Sequence, residues 1–278
     1  MKKINRRSFL AAAGLTAAAL ALTACGGSAS STASSTASSA ASSEAASTSA
    51  AAELTTVEAG KLTMATNAAF PPYEMTTDAG EFEGIDIDTA KAIAEKLGLE
   101  LQIDDMDFDA ALLSVQQGKA DIAMAGVTVT DERKAVMDFS DSYATGIQSI
   151  IVPEGSDITS PDDLAGKKIG TQRGTTGYIY CSDDFGDDAV VAYDDGLTAV
   201  QALNNGQVDA VVIDNAPAKE FVAANPGLVI LDTSYAEEDY AIGLAKGSAL
   251  EDAVNAALEE LKADGTLQSI VDKYITAE

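Results

Sequence analysis

The chain has 278 residues with 17 Lys and Arg against 44 Asp and Glu, and its formal net charge is −27. Such an acidic surface repels nucleic acid and anionic lipid, which argues against binding through phosphate contacts. The chain contains no histidine, so it lacks the commonest metal ligand and the commonest general base, and we expect no metal or other cofactor. Hydrophobic residues make up 46%, enough for a buried core in one large or two ordinary domains.

The N-terminal segment 1–24 is predicted to be a signal peptide. It has a basic start, a small-residue exit, and between them an apolar run that is short and alanine-rich for a membrane span. The exit Leu-Thr-Ala-Cys resembles the lipobox of bacterial lipoproteins, which implies that Cys25 is lipidated and begins the mature protein. A chance cysteine beside an ordinary cleavage site is the alternative. The segment NRRSFL partly matches a twin-arginine signal, although we favour the general secretory route.

The range 25–58 consists mostly of serine, alanine and threonine. It has too little apolar side-chain volume to offset the entropy of ordering, so we predict a flexible tether between a lipid anchor and a folded body. Cys181 is the second of only two cysteines. No internal disulfide can form once Cys25 is acylated, and Cys181 is predicted to be a packed or surface thiol.

From Lys61 onward, β-rich runs alternate with helical patterns, which is typical of an α/β fold with mainly parallel sheets. The apolar spacing over 90–97 follows one face of a helix that should stop at Gly98. The predicted strands are, in chain order, KLTMAT, LELQID, ADIAMAG, KKIGTQ, VVAY, VDAVVID and LVILD. Further helices are predicted around 108–117, at GLTAVQALNNG and at APAKEFVAAN. The acidic run CSDDFGDD (181–188) is expected to be a solvated loop.

Two segments echo each other, QQGKADIAMAG (116–126) and NNGQVDAVVID (204–214). Each combines a helix end, a glycine, an aspartate two or three residues later and a buried strand. In this register Gly126 and Asp214 occupy equivalent places at the C-terminal ends of two strands, where open α/β sheets bind ligands. Two similar lobes could therefore share one cleft. The alternative is that the echo is common to α/β sequences in general.

Several further segments follow one another in order over about residues 60–276. They are ATNAAFPPYEM, EGIDIDTAKAIAEKLG, DFDAALLSVQQGKADIAMAGVTVTDERKAVMDFSDSY, IGTQRGTTG, GQVDAVVIDNAPA and YAIGLAKGS with LEELKADGTLQSIVDKY. Together they resemble the extracellular solute-binding proteins that deliver polar amino acids to ABC importers. The resemblance implies a two-lobed, type II periplasmic-binding-protein-like α/β fold with two crossing hinge strands.

The resemblance also implies where the lobes begin and end. The crossings are expected near 143–148 and 239–243. Lobe 1 would then combine 59–145 with 241–278, and lobe 2 would comprise 146–240.

Two charged residues match the family's ligand-binding positions. Arg133 matches the arginine that grips the ligand's carboxylate, and its planar fork offers paired, charge-assisted hydrogen bonds that a lysine would not reproduce. The alternative is a surface arginine paired with Asp131 or Glu132. Asp214 matches the aspartate that binds the ammonium group, and the alternative is an aspartate that only caps the following helix.

Four uncharged residues match neighbouring positions of the same site. Gly126 and Thr128 match residues that offer a backbone carbonyl and a hydroxyl to the ammonium group, while the Thr128 amide faces the carboxylate. Thr176 matches a residue that donates to the carboxylate from the second lobe, beside a predicted helix N-terminus suited to anions. Gln172 is a further candidate for ligand contact.

Three residues match the pocket for the ligand's side chain. Phe70 and Phe108 match an aromatic pair that sandwiches this side chain, although both could instead be core phenylalanines. Asn67 lies where members that bind cationic side chains tend to carry an acid. The uncharged amide therefore favours a neutral polar amino acid as ligand.

The implied function is a receptor and not an enzyme. It would be a monomer, lipid-anchored outside the bacterial cell membrane, that closes on a free amino acid and delivers it to an ABC permease. One alternative is a cyclohexadienyl-dehydratase-like enzyme on the same fold, which needs a general acid in the cleft. Glu74 and Asp86 are conceivable acids, but we expect both to cap a helix or to be solvated. A second alternative is a sensory module for a separate membrane receptor.

Overall fold

The computed structural model describes residues 54–275, so the predicted signal peptide, Cys25 and most of the predicted tether lie outside the described residues. The strands are β1 Lys61–Thr66, β2 Ala69–Phe70, β3 Glu74–Thr76, β4 Phe82–Glu83, β5 Glu100–Asp105, β6 Ile122–Ala123, β7 Met137–Phe139, β8 Ala144–Pro153, β9 Ile169–Gln172, β10 Val190–Tyr193, β11 Ala210–Asp214, β12 Leu228–Ile230, β13 Ala236–Tyr240 and β14 Gly243–Ala245. The α-helices are α1 Ile85–Leu97, α2 Phe108–Gln116, α3 Asp131–Lys134, α4 Thr176–Phe185, α5 Gly196–Asn204, α6 Asn215–Ala224, α7 Glu251–Ala263 and α8 Thr266–Tyr274.

The first sheet has the strand order β5-β1-β6-β14-β7. Strands β5, β1 and β6 are parallel, and β14 runs antiparallel to both β6 and β7. The apolar faces of α1 and α7 pack together in one buried cluster, and α2 contributes to a second. Helix α1 ends at Gly98, as the spacing predicts, and this glycine adopts the left-handed conformation common after a helix.

The second sheet has the strand order β10-β9-β11-β8-β12. Strands β10, β9 and β11 are parallel, and β8 runs antiparallel to both β11 and β12. Helices α5 and α6 contribute to one buried cluster, and α4 contributes Cys181 to another. The acidic run 181–188 is therefore not a loop throughout. Its first five residues form the last part of α4, because the buried face of Cys181 anchors them to the core.

The two sheets share one pattern of strand directions. In each, three parallel strands are followed by one antiparallel strand and then by a strand parallel to the first three. The echoing segments supply β6 and β11, which are the third strands of their sheets. The echo therefore reflects equivalent places in two similar α/β units, as the sequence predicts.

Strands β8 and β13 connect the two units. They pair antiparallel from Ala144 opposite Tyr240 to Gln148 opposite Ala236. The first crossing lies where the sequence predicts it, whereas the second begins at Ala236, earlier than the predicted 239–243. The reason is that the register with β8 extends the ladder through the whole of β13. The exact lobe boundaries stay a prediction.

Two local features place residues at the cleft between the lobes. The small antiparallel sheet β2-β3-β4 follows β1 and holds Phe70 and Glu74. Strand β6 is shorter than the predicted strand ADIAMAG, because the chain leaves the ladder after Ala123 and turns toward the cleft at Gly126. Within residues 54–275, no helix is long and apolar enough to cross a membrane.

Candidate ligand-binding site

One cavity between the lobes is lined by every residue that the sequence predicts to contact ligand. It encloses about 410 Å³ of empty space, including its open mouth. The predicted residues that line it are Asn67, Phe70, Phe108, Gly126, Thr128, Arg133, Gln172, Thr176 and Asp214. The lining also includes residues that sequence analysis missed, namely Glu74, Ala125, Gln148, Thr175, Ile213 and Tyr240.

Arg133 projects from the short helix α3 and is buried, with 8% of its surface exposed. Its Nη1 donates to the carbonyl of Thr128 over 2.8 Å, and its Nη2 donates to the carbonyl of Gly174 over 3.1 Å. The guanidinium carbon lies 5.2 Å from the centre of the Phe108 ring, which is a cation–π contact. Backbone carbonyls and an aromatic face thus hold the cation in place and leave its charge uncompensated by a direct partner.

The ion pairs among the described residues do not include Arg133. Arg133 therefore forms no surface ion pair with Asp131 or Glu132 in this structure. Burial lowers the pKa of Arg133, and the nearby charge of Glu238 opposes this shift. A buried charge without an ionic partner carries a desolvation cost, and a bound anion would offset that cost.

Asp214 ends β11 and begins α6, so it combines the two roles considered for it. Its Oδ1 accepts from the N–H of Ala216 over 3.1 Å as a helix cap, and its Oδ2 accepts from the N–H of Ile147 over 2.7 Å. The Tyr240 hydroxyl also hydrogen-bonds to this carboxylate. Burial raises the pKa of Asp214 to about 6, although these hydrogen bonds oppose the shift. The buried carboxylate therefore gains from a cationic partner.

Gly126 is fixed by a buried carboxylate behind the cavity. Its N–H donates to Oδ2 of Asp86 over 3.0 Å, and the Tyr143 hydroxyl donates to the same oxygen over 2.8 Å. Gly126 has φ of +56°, and a Cβ here would lie 2.9 Å from the Phe70 ring. Only glycine fits both the left-handed backbone and this close approach.

Glu74 and Asp86 form a buried carboxyl pair, contrary to the expectation that they cap a helix or are solvated. Both are 0% exposed, Glu74 on β3 and Asp86 in the first turn of α1. Burial raises the pKa of Glu74 well above its ordinary value and raises that of Asp86 to about 6. The nearby charge of Asp86 adds to the rise in the pKa of Glu74, which favours the protonated form of Glu74. Glu74 also lines the cavity, whereas Asp86 accepts from the N–H of Gly126.

Three side chains converge on one oxygen of Glu238, a residue that sequence analysis missed. Oε2 of Glu238 accepts from the hydroxyl of Thr128 over 3.1 Å, from the hydroxyl of Thr176 over 2.9 Å and from Nε2 of Gln148 over 3.1 Å. Glu238 is 6% exposed and lies on β13. The sequence AEEDY gives no signal for it, because only the pairing of β13 turns Glu238 and Tyr240 inward while Glu237 faces solvent.

Thr176 lies at the N-terminus of α4, where the preceding Thr175 accepts from the N–H of Tyr178 as the helix cap. The sequence predicts that Thr176 donates to the ligand's carboxylate. In this structure its hydroxyl donates to Glu238, and its contact with a ligand stays a prediction. The backbone N–H groups at the helix N-terminus offer further donors to an anion.

One part of the cavity lining is uncharged and partly aromatic. Nε2 of Gln172 donates to Oδ1 of Asn67 over 2.8 Å, a bond that crosses the cleft, and Nδ2 of Asn67 donates to the carbonyl of Met106 over 3.0 Å. The Phe70 ring stacks on Tyr73 with centroids 5.8 Å apart. Phe70 also packs against buried clusters of both sheets, so the core and pocket alternatives for it both apply.

The fold and the cleft define a two-lobed α/β binding protein of the type II periplasmic-binding class. Residues 62–277 match the family described as bacterial extracellular solute-binding proteins, family 3. The chain belongs to this family, whose members act outside the cytoplasm, and it is a binding protein and not an enzyme.

Individual relatives cover nearly the whole described body. A probable histidine-binding protein of Neisseria gonorrhoeae is 32% identical over 99% of this chain and 98% of its own. The L-cystine-binding protein TcyJ of Escherichia coli K12 is 32% identical over 80% of this chain and 85% of its own. A solved structure of an ancestral arginine-binding protein bound to glutamine has a TM-score of 0.75 and 42% identity, covering 78% of this chain and 99% of that one.

Proposed function

We propose that this protein is a receptor that binds one free amino acid in the cleft and delivers it to an ABC importer. The observation that carries the proposal is the pair of buried, oppositely charged groups in one cavity. Among the described residues, no ion pair includes Arg133 or Asp214, and both line the cavity. A zwitterion supplies both missing charges at once, whereas a simple anion or cation supplies only one.

Side-chain preference is proposed from the uncharged part of the cavity. The relatives described above are named for histidine, cystine and arginine, and one structure holds glutamine. In this chain the Asn67–Gln172 pair offers amide groups, and Phe70 and Phe108 offer aromatic faces. Amides exchange hydrogen bonds with polar groups without compensating a charge. The favoured ligand class is therefore a neutral polar amino acid.

Binding would proceed through closure and without chemistry. Arg133 and Thr128 belong to the part of the chain before β8, whereas Thr176 and Asp214 lie in the second sheet region, so a ligand that contacts all four holds the lobes together. A dissociation constant of about 1 μM corresponds to about −8 kcal/mol, which a desolvated zwitterion and aromatic contacts can supply. The closed form would dock on the permease as a monomer.

The anchor and the tether complete the proposal. Lipidation of Cys25 would hold the receptor at the membrane, and the range 25–58 would act as the tether. The described end of this range contacts the body, since the N–H of Val57 donates to Asp121 over 2.8 Å. The tether's free part would therefore end before Val57.

Calorimetric titration of the purified, ligand-stripped protein with each common amino acid tests the function. We expect micromolar binding of a small group of neutral polar amino acids, such as glutamine, and weaker binding of arginine and lysine. Tightest binding of arginine or lysine would refute the neutral preference and leave the receptor function intact. No heat with any amino acid would refute the receptor function itself.

A further inference from the structure

Glu238 is the point where both lobes and the hinge meet. Thr128 comes from the first lobe, Thr176 from the second and Gln148 from the hinge strand β8, and all three donate to the same carboxylate oxygen. Glu238 itself belongs to the other hinge strand, β13. It is 6% exposed, so water cannot replace these donors freely.

The hydroxyl hydrogens of Thr128 and Thr176 are both used in hydrogen bonds to Glu238, and this limits how the two hydroxyls can bind a ligand. A threonine hydroxyl has one hydrogen and two acceptor lone pairs, and a carboxylate can only accept. The Thr128 and Thr176 hydroxyls each give their hydrogen to Glu238, and their oxygens lie 3.5 Å apart. Both threonines line the cavity. Their lone pairs are therefore the only hydrogen-bonding capacity that they have left for a ligand.

We propose that Glu238 is a positioning residue that fixes both hydroxyls as acceptors and so makes the cleft selective for an α-ammonium group. This inference rests on the proposed amino-acid receptor. An ammonium group has three hydrogens to donate, and Asp214 with the two hydroxyl oxygens offers acceptors for them. A ligand without that group places no donor there and leaves the acceptors desolvated and unpaired.

The arrangement also links selectivity to closure. Thr128 and Thr176 lie on different lobes, so Glu238 receives both hydroxyl hydrogens only when the lobes are together. The acceptor set for the ammonium group is therefore complete only in the closed form. In an open cleft, Arg133 would hold the ligand's carboxylate, but the acceptors that select for an ammonium group would not yet be assembled.

The test replaces Glu238 with glutamine, which keeps the shape but can donate through its amide. The probes are glutamine and its des-amino analogue, the same acid without the α-ammonium group, with the analogue measured by competition. We expect E238Q to weaken glutamine binding by at least about tenfold while the analogue's weak affinity changes by less than about threefold. Glu237→Gln removes the same charge from an exposed neighbour on β13 and should bind as the wild type does.

A double-mutant cycle separates hydroxyl orientation from loss of charge. In a Thr128→Val/Thr176→Val background, E238Q should cause little further loss of glutamine affinity. Equal losses in both backgrounds, or equal losses for both probes, would overturn the proposal. If E238Q does not fold, T176V alone must still weaken glutamine more than its analogue, and a parallel loss would overturn the proposal. A wild-type protein that binds no amino acid would instead refute the proposed receptor function.

Discussion

Arg133 and Gly174 contact each other across the cleft, with Nη2 of the arginine donating to the glycine's carbonyl over 3.1 Å. Gly174 follows β9 of the second sheet, whereas Arg133 precedes both hinge strands. The Gln172–Asn67 hydrogen bond of 2.8 Å is a second contact of this kind. The residue proposed to hold the ligand's carboxylate thus also holds the lobes together, so binding and closure share one side chain.

Gly174→Ala should hinder closure. Gly174 has φ of +73°, and a Cβ at this position would overlap the carboxylate of Asp109 from the first lobe. We expect ligand affinity to fall by about threefold, because closure would have to move the exposed side chain of Asp109. Calorimetry measures the loss, and small-angle scattering with saturating ligand should show a less compact protein than the wild type.

Two further variants isolate the cause of that effect. Gly166→Ala introduces the same backbone strain, since Gly166 has φ of +80°, but its Cβ would meet no atom within 4 Å. It should leave affinity unchanged. Asp109→Ala in the Gly174→Ala background should restore most of the affinity. A Gly166→Ala loss equal to that of Gly174→Ala would show that strain alone is responsible.

Arg133→Ala should abolish most ligand binding. It removes a desolvated, charge-assisted partner of the carboxylate, a loss of about 2 kcal/mol or more, which is at least about thirtyfold in affinity. Arg133→Lys should recover only part of it, because an ammonium group cannot form the planar paired contact. Arg173→Ala is the matched control, since that arginine is exposed and pairs with Asp194. Similar affinities of the Arg133→Ala variant and the control would contradict the assignment.

Ligand affinity should fall as the pH drops through about 6. Burial raises the pKa of Asp214 to about 6 in the ligand-free protein, and the ammonium group requires the ionised carboxylate. Below this pH, binding must expel a proton, so affinity should fall toward tenfold per pH unit. Glu238 and Tyr240 also face this carboxylate. Asp214→Asn should bind weakly and lack this pH dependence, whereas an unchanged slope in that variant would assign it to another group.

The ligand-free protein should be more stable near pH 5 than near pH 7. The pKa values of Asp86 and Asp214 are raised to about 6, so the folded state keeps protons that the unfolded state loses at lower pH. The stability gained is present at acidic pH and is lost as the pH rises through about 6, by about 1 kcal/mol for each of these groups. Urea unfolding at the two pH values measures the difference.

Glu74→Gln tests the buried carboxyl pair directly. Burial raises the pKa of Glu74 well above its ordinary value, and a glutamine has no such proton to lose, so the variant should show a smaller fall in unfolding free energy between pH 5 and pH 8 than the wild type. Glu81→Gln, at an exposed position, is the control and should keep the wild-type slope. Identical slopes in all three proteins would show that Glu74 does not hold the proton.

Much of the fold follows from local sequence signals. The apolar spacing of 90–97 and the stop at Gly98 predict α1, and the echo of 116–126 with 204–214 predicts two equivalent third strands. Strand ends are less predictable, because they depend on partners that are distant in the sequence. Strand β6 ends at Ala123 since its neighbour β1 pairs with only two of its residues. Local composition cannot reveal that limit.

The site is predictable where a residue type is tied to one chemistry. Arg133 and Asp214 carry charges that a zwitterion needs, and both line the cavity. Glu238 was missed because it sits among exposed acids in AEEDY, and only the register of β13 turns it inward. Glu74 and Asp86 were misjudged as solvated, since acidic residues are mostly exposed. Their burial depends on how β3 and α1 pack in the folded protein, which no local sequence pattern displays.

Calorimetric titration with glutamine and with its α-carboxamide, in the wild type and in the Arg133→Ala variant, tests the central claim most directly. The claim is that the cleft holds a zwitterion through Arg133 and Asp214. We predict micromolar binding of glutamine, binding of the carboxamide at least about thirtyfold weaker, and no further loss of the carboxamide in the variant. Equal affinities of the two ligands for the wild type, or no binding of either, would contradict it.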